Sequence, residues 1–413
     1  MVIFELPHQK TTMSKSNFFI GQPVFNQLLN LIPRHLINSI SDKHNSNRYC
    51  KSFYAYDHLV SMLYAGFFQC SSLRELSTGL QANAHRLKHL GLKTSPRRST
   101  ISDANKRRSA IFFEELYHEL YKQHFVLSDS SIKSDKLFII DSTTISLFSS
   151  IMQGAGTVGL NGKKKGGVKA HMLVNAEHDM PAFITITEAK EHDLTFLHKV
   201  HVPDGATVVM DKAYINHNQF KFWGERNIHW VTRQKKGAVV EQIVNLPLTE
   251  ESFDLGVRKD ELVRLGRPSN QKISPLILAR SIHFFDESKQ REFIFITNDM
   301  TSEPQIIAET YKRRWQIELL FKRIKQRYPL KYFLGDTPNA ISIQIWTALI
   351  CDLLVKIIQR KVNEIKTRPW AYTTISSMIK HHLMSYLKLI DFLTNPDKAL
   401  LQYEPPDTQL KMF

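Results

Sequence analysis

The sequence predicts an α/β core with helical regions before and after it, and three observations predict this. Two short apolar runs, Leu137-Phe138-Ile139-Ile140 and Val208-Val209-Met210, read as buried strands, and each is closed by an aspartate, Asp141 and Asp211. Residues 18–126 and 341–392 place apolar side chains at helical spacing and contain little that resembles strand. Between about 234 and 298 the pattern turns β-rich.

The elements follow in chain order. The first 17 residues are polar and unpatterned, a flexible N-terminus in which either Met1 or Met13 could be the start. An apolar helix is expected over 56–68, and Ser72-Leu73-Arg74-Glu75 fits a capping box opening the next. Pro96 interrupts the pattern, and Ser99-Thr100 can cap a short helix over 101–108 ahead of a longer one over 112–121, a helix-turn-helix arrangement. After Asp141 come a Gly- and Lys-rich loop (154–167), a hairpin (168–175 and 181–187) and a short helix capped by His192-Asp193. The Asp211 strand leads to a helix over 216–225 and a strand over 228–232. A second hairpin, 276–285 with 292–297, turns at 286–290. Helices are then expected over 341–360 and 372–392, before a polar tail with Pro405-Pro406.

Residues 306–327 contain neither Pro nor Gly and read as one basic helix. Within it Tyr311, Arg314, Glu318 and Lys325 stand at i, i+3, i+7 and i+14, which at about 100° per residue confines them to a sector of roughly 60°. One carboxylate, two cations and a phenol therefore share a face. Arginine suits phosphate through its bidentate fork and lysine as a point charge. An ordinary solvated helix can look the same; the two upstream aspartates favour a site. Three carboxylates gathered together repel one another, so a site that keeps them ionised holds divalent metal, and a metal pair clamps the attacking and leaving oxygens of a phosphoryl transfer.

Composition narrows the partner. Over 413 residues, 55 Lys and Arg against 39 Asp and Glu give a formal charge of +16, the footprint of a polyanion binder. Between 86 and 108 the cations Arg86, Lys88, Lys93, Arg97, Arg98, Lys106, Arg107 and Arg108 face a single acid, Asp103, an asymmetry that favours a DNA phosphate surface. Lys169 and His171 alternate with apolar residues on one strand face, where they could touch DNA or meet solvent. Thr143 and Arg233 are candidates to support the acids. The three cysteines, Cys50, Cys70 and Cys351, have neither zinc-ligand nor disulfide-framework spacing, and there is no GxxxxGK[ST] loop for a nucleotide. The most apolar helix is interrupted by Gln344, Asp352 and Lys356, which argues against a membrane span and for a cytoplasmic protein.

The pattern Y-x2-R-x3-E-x6-K at Tyr311, Arg314, Glu318 and Lys325, with Asp141 after a strand and a second aspartate in Asp211-Lys212-Ala213-Tyr214, resembles the DDE transposases of bacterial insertion sequences, more narrowly the insertion-sequence four family. The resemblance covers about 131–340 and the order of a helical region before it. It implies a ribonuclease H-like α/β catalytic core (131–340) with a β-rich insertion at about 234–298, preceded by a helical DNA-binding domain (18–130) and followed by a helical C-terminal region (341–413). The first and fourth core strands would lie side by side. Asp141, Asp211 and Glu318 would be the catalytic residues and would hold two Mg2+ or Mn2+ ions. Tyr311, Arg314 and Lys325 would bind DNA near the cleaved end and assist a hairpin intermediate, with Lys169, His171, Arg233, Arg97, Arg98, Lys106, Arg107 and Arg108 as further DNA-binding candidates. The implied partners are double-stranded DNA, as transposon ends and as target, and a second copy of the chain in the synaptic complex. No Trp lies between 234 and 298, where some relatives hold a flipped base; Phe284, Phe285 and Phe293 are more readily core. A nuclease of the same fold that cannot join, and a transposase-derived DNA-binding repressor, remain as alternatives.

Overall fold

The computed structural model describes residues 22–126, 137–146, 167–188, 193–267, 275–328, 330 and 332–401. The expected flexible N-terminus, residues 154–166 of the Gly- and Lys-rich loop, His192 and the tail with Pro405-Pro406 lie outside them. The chain divides into two units: Met1–Phe68, Arg74–Ile101 and Cys351–Phe413 form one, and Gln69–Leu73 with Ser102–Ile350 the other. The division differs from the one expected at 130 and 341, because the C-terminal helices belong with the first N-terminal ones.

The first unit is helical: α1 (Val24–Leu29), α2 (Arg34–Lys43), α3 (Ala55–Phe68), nearly all of α4 (Leu73–Ala82), the second half of α12 (Pro338–Ile365), α13 (Tyr372–His381), α14 (Leu389–Thr394) and α15 (Pro396–Leu401). Backbone groups of α1 that its own helix leaves without partners are answered by the C-terminal segment: Phe25 N–H donates to Leu383 O (2.7 Å) and Val24 N–H to Ser385 O (3.0 Å). The buried Gln27 amide donates to Leu387 O (2.6 Å) and accepts from Leu389 N–H (2.9 Å). The helix expected over 372–392 is therefore two helices, the stretch between them being spent on these contacts. The whole of α12, 28 residues, is long and apolar enough to cross a membrane, but 89% of its most apolar window is buried within the protein.

The second unit contains α5 from Ser102 onward (α5 is Arg98–Arg107), α6 (Ile111–Tyr121) and a nine-stranded sheet. The α5–α6 joint of the expected helix-turn-helix is held by one side chain: Asn339 donates to Asn105 O and Arg108 O (both 2.8 Å) and accepts from Ala110 N–H (3.0 Å). The strands are β1 (Leu137–Ser146), β2 (Gly167–Asn175), β3 (Met180–Glu188), β4 (Thr207–Met210), β5 (His229–Arg233), β6 (Val240–Asn245), β7 (Val257–Leu265), β8 (Ile277–Asp286) and β9 (Arg291–Thr297). Their order is β3-β2-β1-β4-β5-β9-β8-β7-β6. β1 runs antiparallel to β2 and parallel to β4, and β4 parallel to β5, so the first and fourth strands do lie side by side. The β-rich stretch differs from a separate insertion: β9 pairs antiparallel with β5 (Val231↔Thr297), so β6–β9 continue the core sheet and cover what would otherwise be an open edge.

Alternation along the strands sorts the two faces. On one, Phe138, Ile140, Val208, Met210 and Trp230 pack with Phe196 and Leu197 of α7 (Leu194–Leu197) and with Phe220 and Trp223 of α8 (His217–Glu225). Asn216 caps α8 by accepting from Gln219 N–H (3.1 Å). Against the sheet also lie α10 (Pro304–Lys312), in contact with β4 and β5, and α11 (Trp315–Arg327), in contact with β1.

Trp230 stacks on Phe220 with ring centroids 4.0 Å apart, both fully buried. Trp230→Ala should lower stability by about 3–5 kcal/mol, and Trp230→Phe by much less. Urea unfolding checks this; equal losses for the two variants would mean that the stack does not set the spacing of α8 on β5.

Candidate active site

The parallel register of β1 and β4 pairs Ile140 with Met210, so the next residues, Asp141 midway along β1 and Asp211 just past the end of β4, stand at the same level on adjacent strands. By alternation both side with Ile139 and Val209, away from Ile140 and Met210. Backbone donors fix each carboxylate: Ser142 N–H to Asp141 Oδ1 (2.8 Å) and Ala213 N–H to Asp211 Oδ1 (3.1 Å).

The helix expected over 306–327 is two, α10 and α11, joined at Arg313 and Arg314. There the bonds tighten to i−3: Arg314 N–H to Tyr311 O (3.0 Å), Gln316 N–H to Arg313 O (2.9 Å) and Ile317 N–H to Arg314 O (3.2 Å). Arg314 sits at that joint and ties the site together. Its Nη1 donates to Asp141 Oδ2 (3.1 Å) and its Nη2 to Glu318 Oε1 (2.6 Å), so one guanidinium spans two of the three acids. Arg233, at the end of β5, pairs with Asp211 Oδ2 (3.2 Å). Lys325 Nζ donates to Thr144 O (2.9 Å), anchoring α11 to β1. Tyr311 is buried, its ring 4.8 Å from that of Phe295.

Electrostatics follow from this enclosure. Burial pushes the Asp141 carboxyl up to about 6; Ser142 N–H and Arg314 oppose the rise, and Asp211 and Glu318 add to it. Burial works against the Arg314 charge, yet the hydrogen bond to Glu318 holds its pKa above the ordinary value. Burial lowers Lys325 and raises Tyr311.

Three hard carboxylates are the donor set that Mg2+ or Mn2+ prefers, and Asp141 and Glu318 are close enough to share one guanidinium. Among the described residues, no group of three His, Cys, Asp or Glu side chains is gathered tightly enough to hold an ion, and Arg314 and Arg233 pair with the acids instead. Among the described residues, the buried Nε atoms of both arginines have no hydrogen-bond partner. The donors therefore suit a divalent ion by chemistry, with the arginines having to yield.

Other expected contacts are placed differently. Lys169 and His171 register with Thr144 and Ser142, on the sheet face opposite Asp141. His171 has no exposed surface and stacks on Phe196 (5.3 Å), while Lys169 pairs with Asp193 (3.2 Å), so neither belongs on a DNA-contacting face with the acids. Asp193 does not cap α7 with its side chain; its carboxylate accepts from Ser142 Oγ (3.0 Å) as well as from Lys169. That cluster includes Tyr214, whose phenol burial holds far above its ordinary pKa. Sequence reasoning passed over Ser142 and Tyr214; their only signal is adjacency to the two aspartates. Arg97, Arg98, Lys106 and Arg107 are exposed, Arg107 pairing with Asp103, whereas Arg108 is buried at the α5–α6 joint.

Comparisons with known proteins bear on the family of the chain. Residues 132–354 match the family described as Transposase DDE domain, and residues 20–93 one described as a domain of unknown function (DUF4372). A protein named as transposase y4zB from Sinorhizobium fredii is 30% identical over 269 residues, 64% of this chain and 72% of its own length. One named as the transposase of insertion sequence element IS4SA from Synechocystis is 27% identical over 270 residues, covering 63% and 71%. The piggyBac transposase in a synaptic complex with hairpin DNA aligns over 94% of this chain and 81% of its own at 8% identity, with a TM-score of 0.42, a likeness too slight to argue from.

With its carboxyl raised from 3.8 to about 6, folded Asp141 keeps a proton that the unfolded chain has lost. Its contribution to stability therefore falls as pH rises through that window and stays low above it. Asp141→Asn removes the penalty, so in chelator the variant should be more stable than wild type near pH 8, by on the order of 2 kcal/mol, the gain vanishing near pH 4. Thermal melts across pH measure it. A variant less stable at pH 8 would mean that the Arg314 pair outweighs burial.

Proposed function

The chain belongs to the DDE transposases of insertion sequences, and from that membership we propose that it binds the terminal inverted repeats of its element, cuts the DNA at their ends and joins them to target DNA. The observation that supports this best is that Asp141 and Asp211 stand at the same level on two adjacent parallel strands and that Arg314 joins Asp141 to Glu318 of a distant helix. The reaction class is phosphoryl transfer by transesterification. Each joining step exchanges one phosphodiester for another, so no ATP is required.

Asp141, Asp211 and Glu318 would hold Mg2+ or Mn2+, two ions in all, which when bound supply Lewis acidity to the attacking and leaving oxygens. The chain's own groups do the positioning. Arg314, now shared between Asp141 and Glu318, offers its guanidinium to a DNA phosphate once those carboxylates have another counterion. Lys325, on α11 and set against the end of β1, is a point charge for the neighbouring phosphate. Tyr311 acts from behind by fixing Arg233 and Arg314, which lie over its ring at 5.8 and 6.0 Å. Processing runs cut-and-paste through a hairpin at the transposon end, with two copies of the chain holding the paired ends. End recognition rests mainly in the helical region 18–126.

Asp141→Ala, Asp211→Ala and Glu318→Ala should each reduce cleavage by at least about 10²-fold while leaving end binding intact. Gel-shift and nicking assays on cognate ends separate the two, and cleavage near the wild-type rate by any of them contradicts the assignment. Arg314→Ala and Lys325→Ala should impair hairpin processing and strand transfer more than the first nick. A uniform loss with altered circular dichroism would mark these two as structural. Nicking without any joined product from wild type would instead identify a nuclease.

A further inference from the structure

The helical unit contains a concavity of about 400 Å3 that the catalytic chemistry does not use. Arg34, at the start of α2, lines it and is exposed. The guanidinium carbon lies 3.2 Å from the centre of the Tyr56 ring, and beside both is Gly91, where an added Cβ would fall 2.6 Å from Arg34 Nη2 and 3.1 Å from the Tyr56 ring edge. Gly91 has a φ of +76°, a left-handed conformation that suits glycine and brings bare backbone against the arginine. Tyr56 is fixed in turn by donating its hydroxyl to Leu90 O (2.8 Å).

Buried or immobilised arginines are ordinarily held by carboxylates. Here a ring and a glycine do the holding, and among the described residues no acid pairs with Arg34. The only acid in the lining, Asp57, accepts from Tyr54 N–H (2.7 Å) at the start of α3. Lys93 and Arg97 complete the rim, both exposed. Three cations thus face one carboxylate already engaged with backbone, and the first turn of α5 next to Arg97 adds the partial positive charge of a helix N-terminus. A guanidinium held on an aromatic ring, in a hollow that two further exposed cations line, suits a phosphate group. Arg34 covers the Tyr56 face, which leaves that ring unavailable for stacking a base.

We infer that this hollow, formed by Arg34, Lys93 and Arg97 around Tyr56 and Gly91, binds a backbone phosphate of duplex DNA. The inference rests on the transposase reading and adds to it Arg34, held on Tyr56 beside Lys93 and Arg97 of the basic stretch. It positions the helical unit on DNA and carries no base information.

The test uses the full chain and a mixed-sequence duplex, with affinity measured by fluorescence anisotropy from about 50 to 200 mM salt. Removing one cation that neutralises a phosphate should reduce the slope of log affinity against log salt by about 0.9. Arg34→Gln/Lys93→Gln/Arg97→Gln should therefore flatten the slope by about 2 to 3, whereas Arg368→Gln/Lys380→Gln/Lys398→Gln, removing as much charge elsewhere in the same unit, should change it by less than about 1. If the first triple variant fails to fold, the exposed single changes Lys93→Gln and Arg97→Gln serve, each expected to lower the slope by about 0.9. Equal slopes for the two triple variants overturn the pocket while leaving DNA binding standing. No salt-dependent binding by wild type overturns both. Inorganic phosphate that stabilises wild type but not the pocket variant in thermal melts, with DNA slopes unchanged, would reassign the hollow to free phosphate and overturn the DNA assignment.

Discussion

Two aspartates at the same level on adjacent parallel strands are electrostatically unfavourable, and much of the second unit is arranged around that fact. Adjacent strands stand about 5 Å apart, and at that spacing two unit charges repel by about 3 kcal/mol at an effective dielectric of 20. Burial adds a larger penalty for Asp141. The protein answers with arginines from other elements: Arg233 from the end of the neighbouring strand for Asp211, and Arg314 from the α10–α11 joint for Asp141. Glu318 shares that second guanidinium, which draws the third acid into the same place. An arrangement of this kind lowers the cost of keeping the acids ready while no metal neutralises them, and it keeps the cations beside the position where a phosphate would lie.

The break between α10 and α11 acquires a reason in these terms. A continuous helix would leave the direction of Arg314 to helical pitch alone. The i−3 joint lets α10 follow β4 and β5 while α11 approaches β1, with Arg314 at the corner. The helical spacing of Tyr311, Arg314, Glu318 and Lys325 in the sequence concealed this, because helical pitch carries no information about a joint stabilised by tertiary ion pairs. Tyr311 illustrates the consequence: it keeps its neighbourhood with the cations but spends its ring on Phe295 instead of facing outward.

Asp141 and Asp211 were legible because a strand run that ends in an acid carries a local signature, and the helix pattern around Glu318 added a second one. The hairpin β8–β9 was legible for the same reason, its turn residues separating two β-branched and aromatic runs. What stayed hidden depended on contacts between distant segments. Nothing local tells that Gln27 will bind Leu387 and Leu389, so the C-terminal helices could not be assigned to the N-terminal unit. Likewise, a β-rich stretch reads the same whether it forms its own body or extends a neighbouring sheet. Lys169 and His171 were correctly placed on one strand face, but period-two alternation does not say which face the acids occupy, and Asp193 claims the lysine on the other.

Three carboxylates separated by 70 (211 minus 141) and 107 (318 minus 211) residues should form one cation site, from which the arginines withdraw. Manganese binding to the DNA-free full chain, followed by electron paramagnetic resonance, tests this without any appeal to turnover. Binding should be saturable, weakened severely by Asp141→Asn, Asp211→Asn and Glu318→Gln alike, and strengthened by Arg314→Gln, which removes a competing cation. Binding indifferent to one of the three acids, or weakened by loss of Arg314, would contradict a shared site.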